Sequence, residues 1–211
     1  MTGWAWTALA LYVVWLGAAF GIRTLIQRLR TGDTGFRRPS GAQGSAARWA
    51  GVLFVAALLG AVAAPAATLA GFPVLVEDAP VLYGTGAAIT VLGIVGTLVA
   101  QGAMGTSWRV GVDREERTAL VTSGPFSYVR NPIFTAMGIT GIGLALMVPG
   151  ILALAALAAL AVAVELQVRI VEEPYLRAVH GTAHVAYGST TGRFVPRVGQ
   201  LRNAARNPDT T

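Results

Sequence analysis

The sequence predicts an all-α integral membrane protein with about five membrane-spanning helices. Hydrophobic residues make up 54% of the 211 residues and charged residues only 12%, whereas a soluble domain carries about 25% charged residues. The apolar residues run in unbroken blocks rather than at the spacing of an amphipathic helix or a half-buried strand. Every basic residue falls at the ends of these blocks or outside them, in three clusters.

Each block is close to the roughly 20 residues that a helical bilayer crossing needs. The first runs from about Trp4 to Ile26, the second from about Trp49 to Phe72, and the third from about Val81 to Met104. The fourth and fifth, about Ile133 to Val148 and Ile151 to Val168, form a hairpin broken at Pro149-Gly150, a pair that ends one helix and turns the chain. The fourth block is short. A cut into four crossings, with the hairpin only dipping into the membrane, is the alternative. By length the chain is one domain, with three N-terminal helices over 1–106, a core with the hairpin over 107–197, and a tail over 198–211.

Arginine placement orients these helices. All sixteen basic residues are arginine, in Arg23–Arg48, Arg109–Arg130 and Arg169–Arg206. With five crossings these regions share one side, and the other side has none. The positive-inside rule makes the arginine side cytoplasmic. The expected location is the cell membrane, with the N-terminus outside and the C-terminus and any arginine-side site inside. The first block has its positive charges after it and is too long for a signal-peptide core, so it reads as a retained helix.

The net charge of +6 spread over three loops beside a bilayer matches topology and anionic head groups, so membrane lipids are expected partners and nucleic acid is not. With no cysteine, disulfides and thiolate chemistry are excluded. His180 and His184 have no companion carboxylate in a metal-binding arrangement, so no metal site is expected. Trp4, Trp6, Trp15 and Trp49 read as interfacial aromatics. Gly17 and Gly21, Gly93 and Gly96, and Gly138 and Gly141 read as close helix-packing positions. Asp33 to Ser45 reads as a flexible loop and Asn203 to Thr211 as a disordered tail.

Two polar motifs stand where apolar blocks end. One is Gly124-Pro125-Phe126-Ser127-Tyr128-Val129-Arg130-Asn131-Pro132; the other is Arg169-Ile170-Val171-Glu172-Glu173. The hairpin returns them to the same membrane face. On one continuous helix Glu165, Arg169 and Glu172 would share a face, and Arg169 would pair with the otherwise costly carboxylate of Glu165. A pocket of carboxylates and arginine at this level suits a zwitterionic or cationic ligand. The loop Ser107 to Ser123, with Asp113, Glu115 and Glu116, either covers that pocket or is a solvated connection.

These residues resemble the isoprenylcysteine carboxyl methyltransferase and phospholipid methyltransferase superfamily. The likeness rests on G-P-F-x-x-V-R-N-P-I-F from Gly124 to Phe134 and R-I-V-E-E-P-Y-L from Arg169 to Leu176. His180-Gly181 with Tyr187, Arg193 and Pro196-Arg197 completes it. It covers Trp108 to Arg197. The resemblance implies a methyltransferase that uses S-adenosylmethionine and takes a lipophilic acceptor, a prenylcysteine-like carboxylate or another isoprenoid or lipid, from the bilayer. It implies a cofactor site of Tyr128, Val129, Arg130, Asn131, Pro132, Glu172, Glu173, His180, Gly181 and Tyr187. The expected catalytic set is Arg130, Asn131, Glu173 and Arg169: Glu172 or Glu173 for the cofactor's ammonium or ribose hydroxyls, Arg130 for its carboxylate, and Arg169 to orient an acidic acceptor or to pair with Glu165. Many relatives have histidine at the place of Asn131 and an aromatic at the place of His180; asparagine hydrogen-bonds but does not titrate near neutrality. A carboxylate acceptor needs no general base, whereas an amine must lose a proton, which a glutamate can take. The competing readings are a non-catalytic scaffold of the same fold and a small-solute transporter. The second fits less well, because ionisable groups are nearly absent from the membrane centre and Gln101 is the main polar exception.

Overall fold

A computed structural model describes residues 1–37, 45–111 and 119–201. All five expected helices are present. The first is one long rod: α1 (Thr2–Leu16), a π-helical turn (Gly17–Ile22) and α2 (Arg23–Thr31). Gly32 ends it at φ 75° with its N–H on the Arg28 carbonyl, a left-handed cap that suits glycine. The helix α3 (Ala46–Leu69) begins where Ser45 Oγ accepts from the Arg48 N–H at 3.3 Å. Proline opens both α4 (Pro80–Met104) and α5 (Pro132–Met147), where its missing N–H leaves no helical bond unmade. Next come α6 (Ile151–Leu166), a second π turn (Gln167–Glu172) and α7 (Glu173–Thr190).

Four of these rods are long and apolar enough to cross a membrane. At 1.5 Å per residue α4 spans about 37 Å, while the 16 residues of α5 span about 24 Å, short of a hydrocarbon core about 30 Å thick. Leu59, Leu92, Val95 and Leu154 point outward and exposed, as helices solvated by lipid require.

The tightest seam joins α4 to α5, backbone against backbone. A Cβ on Gly93 would lie 2.5 Å from the Thr140 nitrogen, and one on Gly143 equally close to that of Thr90. The two threonines satisfy their hydroxyls within their own helices, Thr90 on Gly86 O (2.8 Å) and Thr140 on Ala136 O (3.0 Å). Small residues thus take the place that large apolar ones fill in soluble cores, since burying apolar surface gains little in lipid. Gly96 meets Ala136 and Gly141 meets Leu157 and Leu160, whereas a Cβ at Gly17, Gly21 or Gly138 would meet nothing within 4 Å. The expected packing role therefore applies within this chain to only some of these glycines.

At one end of the bundle the α3–α4 connection meets the hairpin turn, Leu75 N–H donating to Pro149 O at 2.7 Å. At the other end all three arginine-bearing regions converge. Arg23 donates to Gly105 O, and Gln27 Nε2 to Thr106 O at 2.8 Å. The chain near Val110 pairs with Gly35 and Arg37. Residues 38–44 of the expected flexible loop and the expected disordered tail lie outside the described residues.

Candidate functional site

The first polar motif is folded by its prolines and glycines. Gly124 at φ 60° starts a 3₁₀ turn, Gly124–Ser127, and Pro132 starts α5. The residues between them lie outside regular helix, and their backbone pairs with the segment after α7. The Arg130 N–H donates to Gly192 O (2.8 Å) and the Asn131 N–H to Arg193 O (3.1 Å), and Asn131 Nδ2 adds a bond to Arg193 O at 3.2 Å. Gly192 can only be glycine here, because a Cβ would lie 2.0 Å from Val195 O. The segment after α7 therefore curls tightly back over Val129 to Asn131.

Arg130 ties this curl to α7. It is 7% exposed, and each terminal nitrogen donates twice. Nη1 bonds Gly188 O (3.1 Å) and Thr191 O (2.5 Å); Nη2 bonds Glu173 Oε1 (2.8 Å) and Gly199 O (2.9 Å). Arg193 grips the same carboxylate from the other side, Nε to Oε1 at 2.8 Å and Nη2 to Oε2 at 3.0 Å. Burial works to raise the Glu173 pKa, but the bonds from Arg193 and Arg130 outweigh it and the carboxyl lies below its ordinary value. Glu173, Arg130 and Arg193 thus form a knot whose charges are largely matched to one another.

Glu172, one residue earlier, is placed quite differently. In the π turn residues five apart stack, and Gln167 Nε2 donates to Glu172 Oε1 at 3.3 Å. The extra residue per turn breaks the single face expected for Glu165, Arg169 and Glu172. Arg169 pairs with Glu165 on the outside of the helix, its side chain 58% exposed, while Glu172 turns into a cavity. Burial pushes the Glu172 carboxyl up to about 7; the Gln167 bond opposes this and the charge of Glu173 adds to it.

The cavity has a volume of about 350 Å³, within the range of small-molecule sites. One end is polar, lined by Arg130, Asn131, Glu172, Glu173, His184 and Tyr187; the other is apolar, lined by Trp15, Phe20, Phe54, Met137, Ala163 and Val164. Both π turns contribute to its wall. Ser107 to Gly111 and Ala119 to Val121 border it as well. Trp108 on that border is clamped from outside: Arg23 stacks over its ring at 4.8 Å and Gly35 packs against its edge. The expected lid residues Asp113, Glu115 and Glu116 lie outside the described residues.

His184 is 1% exposed, and neither ring nitrogen has a hydrogen-bond partner among the described residues. Burial first and the Arg130 charge second lower its pKa, so the imidazole is neutral near pH 7. Tyr187 Oη donates to Phe126 O at 2.5 Å, fixing α7 to the 3₁₀ turn. The chain bends at Gly181 (φ 51°, ψ −123°), a conformation open to glycine. The bend separates His180, which does not border the cavity, from His184, which does.

Of the other residues expected at the site, Pro132 lines the cavity, Val129 is buried behind it, and Tyr128 is 71% exposed and faces away; Gly181 and Arg169 do not line it. The sequence motifs did not single out His184 as a site residue, nor Gln101, nor the aromatic wall of the first two rods. A lone glutamine inside an apolar block was the available signal for one of these.

Residues 81–183 match the model of the phospholipid methyltransferase family. The match spans 103 of the 211 residues. The matched stretch runs from α4 into α7 and includes Arg130, Glu172 and Glu173. It supports a membrane methyltransferase, of the group related to the isoprenylcysteine carboxyl methyltransferases. No curated protein matches the chain.

Proposed function

We propose that the protein transfers a methyl group from S-adenosylmethionine to a lipophilic acceptor at the cytoplasmic face of the cell membrane. The observation that carries this reading is the two-ended cavity: a polar mouth within the family core continues into an apolar pocket between helices. A polar donor and a membrane-dissolved acceptor need opposite solvents, and this shape offers both. The arginine side is taken as cytoplasmic from the positive-inside rule.

The cavity residues fit such a donor. Glu172 is a carboxyl without an ion-pair partner among the described residues, suited to an ammonium or ribose hydroxyls; His184 and Asn131 add hydrogen-bonding atoms, and Val168 adds apolar contact. Bound S-adenosylmethionine supplies a methyl group activated by its sulfonium charge. The protein's own part is to position and to exclude water. Glu173 with Arg130 and Arg193 holds the C-terminal curl against α7 and so builds the mouth, while Gln167 aims Glu172. Arg169, paired with Glu165 outside the cavity, is left out of this mechanism. With an amine acceptor, Glu172 in its ionised form would take the proton released; with a carboxylate acceptor no base is used.

Calorimetric titration with S-adenosylmethionine tests the reading. Wild-type protein should bind it, and Glu172→Gln should weaken binding about tenfold or more while the protein stays folded. No binding by folded wild-type protein would reject the reading and favour a scaffold that has kept the fold without the chemistry.

A further inference from the structure

The apolar end of the cavity has a feature that ordinary helix packing does not explain. Gln101 near the end of α4 is 3% exposed and lines the cavity. Its Nε2 donates to Ala19 O at 2.9 Å, a carbonyl within the π turn of the first rod. This bond fixes which way the amide points, since the reverse orientation would set oxygen against oxygen. Oε1 is left buried, accepting no hydrogen bond from any described residue. A buried acceptor without a donor costs about 1–3 kcal/mol. The cavity wall here includes Trp15, Phe20, Gly51 and Phe54, with Thr97 one turn before Gln101, its hydroxyl occupied in accepting from Trp15 Nε1 and donating to Gly93 O. The first four precede residue 81, where the family match begins. Gly51 is exposed as well as cavity-lining, and a Cβ on it would meet nothing within 4 Å, so it marks where the cavity opens sideways towards lipid.

We propose that this end is the acceptor subsite, with its hydrocarbon wall built by the two N-terminal rods and Gln101 Oε1 as its polar reader. The ligand is a hydrocarbon chain bearing an O–H or N–H near the head that is methylated. The inference rests on the methyltransferase reading for what happens to the ligand, but not for its binding. Residues outside the family stretch then decide which lipid this chain accepts. Gln101 is a specificity residue: it reads a proton and takes no part in the methyl transfer.

The test uses two probes that differ by that proton, farnesol and farnesyl methyl ether. Each is titrated into full-length protein in lipid nanodiscs, with empty nanodiscs as the blank and S-adenosylmethionine titrated in parallel. Wild-type protein should bind the alcohol about tenfold more tightly than the ether, the worth of one buried hydrogen bond. Gln101→Leu should erase that ratio while leaving the ether's affinity in place. Gln101→Glu, in its neutral form, keeps a carbonyl acceptor and a donor to Ala19 and should preserve the ratio, which guards against a merely misfolded variant. Gly51→Phe should weaken both probes tenfold or more and leave donor binding unchanged. Equal affinity of wild-type protein for the two probes, a ratio that survives Gln101→Leu, or probe binding indifferent to Gly51→Phe would each overturn the proposal. Probe binding as expected without donor binding would leave the subsite standing and reject the methyltransferase reading instead.

Discussion

Glu172 and Glu173 are neighbours in the chain and belong to opposite kinds of structure. Glu173 sits in a knot where two arginine side chains, three backbone carbonyls and a carboxylate answer one another. Glu172 faces a cavity, and among the described residues its side chain has a single neutral hydrogen-bond partner. The π turn just before them makes the difference, rotating one carboxylate inward as the next begins α7. A fully paired charge holds architecture together; a poorly paired one beside a cavity is available to a ligand.

Breaking the knot should have the largest effect. Glu173→Ala leaves two arginines without their shared counter-ion, and removing one partner of a buried ion pair costs about 3–5 kcal/mol. We expect a large fall in melting temperature in detergent and loss of donor binding as the curl over Arg130 loosens. Because the Glu173 pKa is lowered on folding, its contribution is present above the ordinary carboxylate range and is lost as pH falls through the lowered value. The melting temperature of wild-type protein should therefore drop on acidification more steeply than that of the variant.

Arg193→Lys retains charge but cannot grip both carboxylate oxygens as a planar fork does. Its cost should be about 1–2 kcal/mol, smaller than that of Glu173→Ala, with Arg130 still in place. An equal cost would show that the fork, rather than the charge, holds the curl.

On the cavity side the pH dependence has the opposite sign. Glu172 is raised to about 7 in the folded protein, so its burial opposes folding increasingly as pH rises from the unfolded-state value through 7. Glu172→Gln should leave the protein within about 1 kcal/mol of wild type at pH 5 and about 3 kcal/mol more stable at pH 8. Donor binding should run the other way, strengthening in wild-type protein between pH 6 and 8 as the carboxylate forms and staying flat in the variant. A wild-type binding curve flat across that range would remove Glu172 from the donor site.

The smallest effect is expected at the third carboxylate. Glu165 and Arg169 pair in the open, and exposed pairs contribute about 0–1 kcal/mol. Arg169→Ala should alter melting temperature and donor binding little; a marked loss of binding would bring Arg169 back into the site.

The helices were legible because lipid imposes a simple rule: a span must be long, apolar and internally hydrogen-bonded. The five blocks fell within a few residues of the five rods, and the hairpin did bring Arg130 and the glutamates together. The boundaries that differ do so for local reasons. The first rod runs on to Thr31 because Arg23 and Gln27 bond the end of α4, and the fifth continues through a π turn instead of stopping.

Composition, block length and arginine placement by themselves determined a multi-pass helical protein with one polar face, and two short motifs marked where its chemistry gathers. Only the tertiary structure decided which polar groups are committed to one another and which remain open to a ligand. An extra residue in a helical turn swings the side chains beyond it by about 100° without changing the letters around it. The carbonyls that accept from Arg130's terminal nitrogens come from residues 188 to 199, and the aromatic wall of the cavity from residues 15 to 54. Such pairings depend on distances across the fold, and hydropathy along the chain does not encode them.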